Sequence, residues 1–91
     1  MRVFKEYLLD EKNLADQTVY LPAESEVVNV LNTSRGLVLL AVVKHTGYED
    51  ASPEIRKFKI CTSGEIFYTP TVKYIGSFES SLGIRHVIEV D

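Results

Sequence analysis

A pair of hydroxyl side chains and a glycine follow one another in the segment Thr62-Ser63-Gly64, directly after an apolar stretch. A turn of this composition can present backbone N–H groups and hydroxyls to a phosphate or a carboxylate. The same residue types also make an ordinary β-turn, so composition does not separate an anion site from a structural turn. Both interpretations remain open.

Basic residues flank this segment along the chain. Arg56, Lys57 and Lys59 precede it, and Lys73 and Arg85 follow on what we expect to be neighbouring strands. If the strands bring these side chains to one face, they form a cationic patch that suits a small phosphorylated ligand. Solvated lysines that discourage edge-to-edge pairing of sheets are the competing interpretation. The candidate ligand-binding residues are Arg56, Lys57, Lys59, Thr62, Ser63, Gly64, Arg85 and His86.

The two histidines occupy different settings. His86 lies among Ile84 and Ile88 on the apolar side of the last predicted strand. A histidine there usually points into a core or an interface and binds a backbone carbonyl, although imidazole can also act as an acid, a base or an anion partner. His45 ends a long apolar run beside a polar loop, and nothing near it indicates a specific role.

Neither catalysis nor metal binding has a recognisable motif. Cys61 is the only cysteine, which excludes an intrachain disulfide and a multi-cysteine metal site. No helix start adjoins it to lower its pKa, so we expect a buried and inert thiol. Ser63 lacks the glycine elbow of a serine nucleophile, and no metal-ligand spacing is present. We predict no catalytic residue, metal or cofactor. Catalysis would need a histidine beside Cys61 or a carboxylate, and an enzyme ranks third, behind two non-enzymatic functions.

Short strands and turns must position these residues. Runs rich in Val, Ile, Tyr and Phe alternate with segments of Asn, Asp, Gly, Pro and Ser, a rhythm typical of β domains. The segment 22–31 could open a helix capped by Ser25, but its β-branched residues favour a strand. The predicted strands are Arg2–Leu9, Gln17–Leu21, Glu26–Leu31, Gly36–His45, Ile55–Thr62, Val72–Phe78 and Gly83–Val90. We therefore predict one mostly β domain over residues 1–91, a compact antiparallel sheet, a sandwich or a partly open barrel of six or seven strands with little or no helix.

One strand is apolar on both of its faces. The run Leu37–Val43 contains no polar residue, which predicts a central strand covered on each side. Seven residues are too few to cross a bilayer, and the first residues lack the pattern of a signal peptide. Together with the single cysteine, these features lead us to expect a cytoplasmic protein without a membrane partner.

Size and charge restrict the partners. The chain has 91 residues and a net charge of −3, which argues against binding to a nucleic-acid polymer. Residues 1–50 hold 5 basic and 8 acidic side chains, whereas 51–91 hold 5 of each, so the negative charge belongs to the first part. A domain of this size has a thin core that gains from an interface, and we expect a homo-oligomer.

Several segments resemble a small family of uncharacterised β domains found largely in bacteriophages and prophages. The resemblance rests on Thr18–Pro22, Phe58–Gly64, Tyr74–Gly76 and His86–Glu89, around an apolar central strand. It implies the fold, the size and a phage context, and it implies no activity.

Two hypotheses of function follow. The first is a non-enzymatic, homo-oligomeric phage protein that sequesters a small phosphorylated or nucleotide-like signal of the host's immune system, an anti-defence role suggested by the phage context. The alternative is a protein–protein interaction module that inhibits a host protein or serves as an accessory or structural component of the phage. Exposed aromatic residues would favour the alternative, and the candidates are Tyr7, Tyr20, Tyr48, Phe67 and Tyr68.

Overall fold

A computed structural model describes residues 1–44 and 53–91 of the chain. Strands account for 69% of these residues, and the described part contains no helix, which confirms the mostly β prediction and excludes a helix over 22–31. The strands are β1 (Arg2–Leu9), β2 (Gln17–Leu21), β3 (Glu26–Thr33), β4 (Gly36–Lys44), β5 (Glu54–Thr62), β6 (Thr71–Ser80) and β7 (Gly83–Val90). Over the same two ranges, no helix is long and apolar enough to cross a membrane.

The strands form two antiparallel sheets. Sheet A has the order β1-β4-β3, and sheet B has the order β2-β5-β7-β6. Each sheet turns one face inward, and alternate apolar residues from these faces make the core, as period-two patterns require. Leu39, Val27, Phe58 and Val87 are almost fully buried there. The sheets do not close into a barrel in the described part of the chain, so the architecture is a sandwich.

The central strand β4 is fully covered on its inner face and incompletely on its outer face. Its inward residues Leu37, Leu39 and Ala41 are at most 1% exposed, whereas on the outward face Val38 is 3% exposed and Leu40 and Val42 are half-buried. The prediction of cover on both sides is therefore wrong at Leu40 and Val42 in the single chain. The run Leu37–Val43 is apolar throughout, but among residues 1–44 and 53–91 no second layer of structure packs on the outer face of β4.

Four strand boundaries differ from the predicted ones: the end of β3, the start of β5, which begins at Glu54, and both ends of β6. β3 continues to Thr33, which reduces the predicted loop to a two-residue turn before Gly36, whose φ of 119° suits glycine. The predicted end of β4 at His45 lies outside the described residues. β6 is longer than predicted at both ends. Strict alternation along β6 would put Tyr74 and Gly76 on the same face, but a bulge between them puts Tyr74 on the outer face and Gly76 on the inner one.

At one side of the sandwich, β3 and β6 run close together. Lys73 Nζ donates a 2.9 Å hydrogen bond to the carbonyl oxygen of Val27. A Cβ atom on Gly76 would lie 3.1 Å from Asn29 Oδ1 and 3.2 Å from a methyl carbon of Val30. Glycine at position 76 therefore permits the close approach of the two sheets.

Candidate functional site

The turn after β5 is a structural turn that already holds a carboxylate. Glu65 N donates to Thr62 O at 3.2 Å, and Gly64 has a φ of 84°, which favours glycine. The Glu65 carboxylate accepts hydrogen bonds from Thr62 N at 3.2 Å and Thr62 Oγ1 at 3.3 Å. The bond from the Thr62 backbone holds the pKa of Glu65 below its ordinary value, and the nearby Lys59 ammonium acts in the same direction. The groups predicted to bind an external anion at Thr62 thus bind the protein's own side chain.

Ser63 takes part in a different contact. Its Oγ lies 2.9 Å from Nε2 of His86, and Nδ1 of the same imidazole lies 3.0 Å from the phenolic oxygen of Tyr74. The rings of Tyr74 and His86 are tilted by 48° with their centroids 5.9 Å apart. We call these three residues the Ser63–His86–Tyr74 cluster. Both ring nitrogens of His86 bind side-chain hydroxyls, so the expectation that one of them binds a backbone carbonyl in the core is wrong.

The register of sheet B explains why these residues meet. His86 on β7 pairs with Cys61 on β5 and with Ser77 on β6. Side chains of paired residues share a face, and diagonal neighbours lie within reach of long side chains. Tyr74 pairs with Ile88, two positions along β7 from His86 and on the same outer face. The cluster therefore lies on the outer face of sheet B, at the junction of three strands.

Arg56 does not belong to this face. It has the same parity as the buried Phe58, and its guanidinium lies inside the sandwich. Arg56 Nε and Nη2 each donate a 2.8 Å hydrogen bond to the carboxylate of Glu89, and Nη1 donates to Ser25 O at 2.5 Å. The hydrogen bonds to Glu89 raise the pKa of Arg56. All of this geometry indicates a structural ion pair.

The remaining cations are dispersed as well. Arg85 pairs with the inward-facing Phe78, and its Nη1 lies 3.4 Å from Glu11 O. Its Nε is buried and has no hydrogen-bond partner in the described part of the chain. Lys59 shares the outer face with the cluster, but its Nζ binds Leu14 O at 2.8 Å and lies 3.4 Å from the Glu65 carboxylate. Only the exposed Lys57 keeps an uncommitted charge on this face among residues 1–44 and 53–91. The basic residues therefore do not form one cationic patch, because successive residues of a strand point to opposite faces.

Cys61 is free and buried, with 4% of its surface exposed. Burial raises the pKa of its thiol, and the Glu65 carboxylate adds to that effect. A thiol that stays protonated is a poor nucleophile and a poor metal ligand. In keeping with this, the described residues contain no group of three His, Cys, Asp or Glu that could hold a metal ion.

Sequence reasoning selected Ser63 and His86 and missed Tyr74. No local pattern marked Tyr74, because the bulge between Tyr74 and Gly76 resets the alternation of β6. Comparisons of the chain with models of protein families, with curated proteins and with solved structures give no match. What the cluster can do must therefore be argued from its own geometry.

Proposed function

We propose that this protein is a non-enzymatic binding domain that captures a small phosphorylated or nucleotide-like ligand at the Ser63–His86–Tyr74 cluster. The observation that supports this most is the convergence of a hydroxyl from the turn after β5, an imidazole from β7 and a phenol from β6 at one exposed point. A hydroxyl and an imidazolium are good partners for a phosphate oxygen. The Tyr74 side chain is 54% exposed, which leaves surface of its ring available to a nucleobase.

Binding fits this geometry better than catalysis does. In a serine hydrolase, the group on the far nitrogen of the histidine is a carboxylate, which fixes the tautomer that removes the serine proton. Here that group is the phenol of Tyr74, which can donate or accept a hydrogen bond, so either tautomer of His86 is satisfied. An imidazole without a fixed tautomer is suited to recognition more than to proton transfer.

The charges around the cluster indicate a ligand with few phosphates. Lys57 is the uncommitted cation on this face among the residues that the structure describes, since Lys59 is neutralised by Glu65. The ligand-contacting residues that we propose are Ser63, Tyr74 and His86, because Lys57 pairs with Val90, four positions and about 13 Å along β7 from His86. Arg56 and Arg85 lie on the other face of the sheet and act structurally.

The biological setting that we propose is a bacteriophage protein acting in the cytoplasm of a bacterial host, where removal of such a signal would blunt immunity. Support for this setting comes from the resemblance to the phage family. The free thiol of Cys61 is in keeping with a reducing compartment.

The test is ligand binding by matched variants. Titration calorimetry with a panel of cyclic dinucleotides and ADP-ribose derivatives should find a ligand for the wild-type protein. Loss of one hydrogen bond to a charged group costs about 1.5–3 kcal/mol, so His86→Gln and Ser63→Ala should each weaken binding by about tenfold or more. Ser81→Ala, in the β6–β7 turn, is the control and should bind normally. Equal affinity of all four proteins for a ligand, or no binding across the panel, would contradict the proposal.

The second candidate is the protein–protein interaction module, and exposed aromatic residues favour it. Tyr68 is 91% exposed and Phe67 is 38% exposed. Tyr20 is also exposed, Tyr7 is half-buried, and Tyr48 lies outside the described residues. This function predicts that one stoichiometric protein is recovered from a host lysate, that Tyr68→Ala abolishes the recovery, and that Ser63→Ala leaves it intact.

A further inference from the structure

The outer face of sheet A, on the other side of the molecule from the cluster, carries exposed apolar side chains between the charged residues Arg2, Glu6 and Glu26. Phe4 and Leu8 of β1 are 69% and 68% exposed, and Leu31 of β3 is 38% exposed. The register joins them into one surface through β4, because Phe4 pairs with Val42 and both Leu8 and Leu31 pair with Val38. A shallow depression of about 230 Å³ lies on this surface between Leu8, Val38 and their charged neighbours. We call this surface the sheet A face.

The molecule exposes more surface than its mass requires. Its accessible surface is 6042 Å², against about 5,400 Å² for a typical folded monomer of this mass. Its radius of gyration is 13.5 Å, against about 12 Å for a compact chain of this length. The exposed apolar side chains of the sheet A face belong to this surface. A second copy of the chain offers the same face, as a self-complementary two-fold contact requires.

The free edge of sheet A is protected against the addition of a strand. Lys5 of β1 pairs with Ala41, a fully buried core residue, so the lysine points toward the inner side of the sheet. Inward-pointing charges on an edge strand are a known device against edge-to-edge pairing. Association through the face of the sheet is therefore favoured over association through its edge.

The charges on the sheet A face suit a second copy in one orientation. A two-fold axis parallel to β4 exchanges β1 and β3, which puts Leu8 of one copy on Leu31 of the other and brings Arg2 within reach of Glu26. A two-fold axis across the strands at Leu40 would instead place Glu6 on Glu6, because Glu6 pairs with Leu40. Charge complementarity favours the first arrangement, since like charges in contact destabilise an interface.

We infer that this protein is a homodimer in which the two sheet A faces pack together about a two-fold axis parallel to β4. The isologous contact places the half-buried Leu40 and Val42 against their own counterparts in the second copy. This buries the second apolar face of β4, which the single chain leaves half-covered. The inference goes beyond the proposed ligand binding and does not depend on it, because the two surfaces belong to different sheets.

Analytical ultracentrifugation over a hundredfold range of concentration tests the dimer. Wild-type protein should sediment as a dimer, and Leu8→Glu, at an exposed position, should raise the dissociation constant by about a hundredfold, because it places a charge against the apolar Leu31 of the second copy. Ile55→Glu, at a position that is 63% exposed on the outer face of sheet B, is the matched control and should remain dimeric. Circular dichroism of each variant verifies the fold.

A charge exchange tests the orientation. Arg2→Glu and Glu26→Arg should each weaken the dimer, and the double variant should restore it. The dimer would be overturned if the wild-type protein were monomeric at every concentration, or if Leu8→Glu and Ile55→Glu weakened association equally. The stated axis would be overturned if the double variant Arg2→Glu/Glu26→Arg did not restore the dimer. Ligand titration of Leu8→Glu separates this outcome from the proposed function, because the Ser63–His86–Tyr74 cluster is untouched in that variant.

Discussion

Glu65 makes the stability of the turn after β5 dependent on pH. Its carboxylate accepts two hydrogen bonds from Thr62 and lies 3.4 Å from the ammonium of Lys59. The pKa of Glu65 in the folded state is lowered from its ordinary value of 4.5, chiefly by the backbone bond. A group with a lowered pKa stabilises the fold fully above its unfolded-state pKa, and this contribution is lost as the pH falls through the folded-state pKa.

We therefore predict that Glu65→Gln lowers the free energy of unfolding near neutral pH, and that the difference from the wild type shrinks as the pH falls below 4.5. Urea denaturation at several pH values measures it. Glu79→Gln, at an exposed position on β6, is the control and should have little effect throughout. A difference between Glu65→Gln and the wild type that stays constant with pH would contradict the role assigned to this carboxylate.

Parity along a strand separates side chains that can act together from those that cannot. On β5, Phe58 and Ile60 mark the inward parity, so the inward position of Arg56 and the outward position of Lys57 could be derived from the sequence. Tyr74 could not be placed that way, because the bulge between Tyr74 and Gly76 resets the alternation and leaves no trace in composition. The turn and the histidine of the site were predictable; the phenol that binds the histidine was not.

At the scale of elements, the Arg56–Glu89 ion pair ties β5 and β7 to the residue that precedes β3. The two side chains are 16% and 11% exposed, and Arg56 also donates to Ser25 O. Removal of one partner of a buried pair leaves an uncompensated charge, which costs about 3–5 kcal/mol. Arg56→Met should lower the free energy of unfolding by about that amount.

The neighbouring lysine supplies the control for this prediction. Lys57→Met changes an exposed cation of the same strand and should alter the free energy of unfolding by about 0.5 kcal/mol or less. The double variant Arg56→Met/Glu89→Leu should recover most of the loss, because no charge then remains buried. If Arg56→Met and Lys57→Met destabilise the protein equally, the internal ion pair does not have the importance assigned to it. Chemical denaturation of the four proteins measures each effect.

The strands themselves were largely predictable, since their residue types and turn signals are local. The layer that packs against each strand could not be predicted from the sequence. An apolar run on both faces, as in Leu37–Val43, predicts burial of both faces and does not say whether the cover comes from the same chain. The structure covers one face of β4 with sheet B and leaves the other half-covered. A second copy supplies the missing layer in the dimer that we infer.

At the scale of the whole molecule, the sandwich separates two surfaces with different chemistry. The smallest dimension of the molecule is 17 Å, and the polar Ser63–His86–Tyr74 cluster and the apolar sheet A face lie on opposite sides of it. A dimer through sheet A would present its two clusters outward, each open to solvent. Association and ligand capture therefore do not compete for the same residues.

The strand order of the two sheets has a consequence for how quickly the chain reaches its fold. The pairs β3–β4 and β6–β7 are joined by two-residue turns, whereas β1 must find β4 and β2 must find β5 across long intervening segments. Local hairpins form in about 1–10 μs, but non-local pairing must first meet the entropy of loop closure, and sandwiches accordingly fold in about milliseconds to seconds.

We expect the two hairpins to be present in the folding transition state and β2 to join later. Gly83→Ala, at a φ of 115° in the first residue after the β6–β7 turn, should then slow refolding. Leu21→Ala, at a buried position of β2, should mainly accelerate unfolding. Stopped-flow measurements over a range of urea concentrations distinguish the two, and the reverse pattern would show that the long-range pairs form first. Until β2 joins, the edge of β5 with which it pairs stays exposed. Newly synthesised protein is therefore most prone to aggregation before β2 is in place.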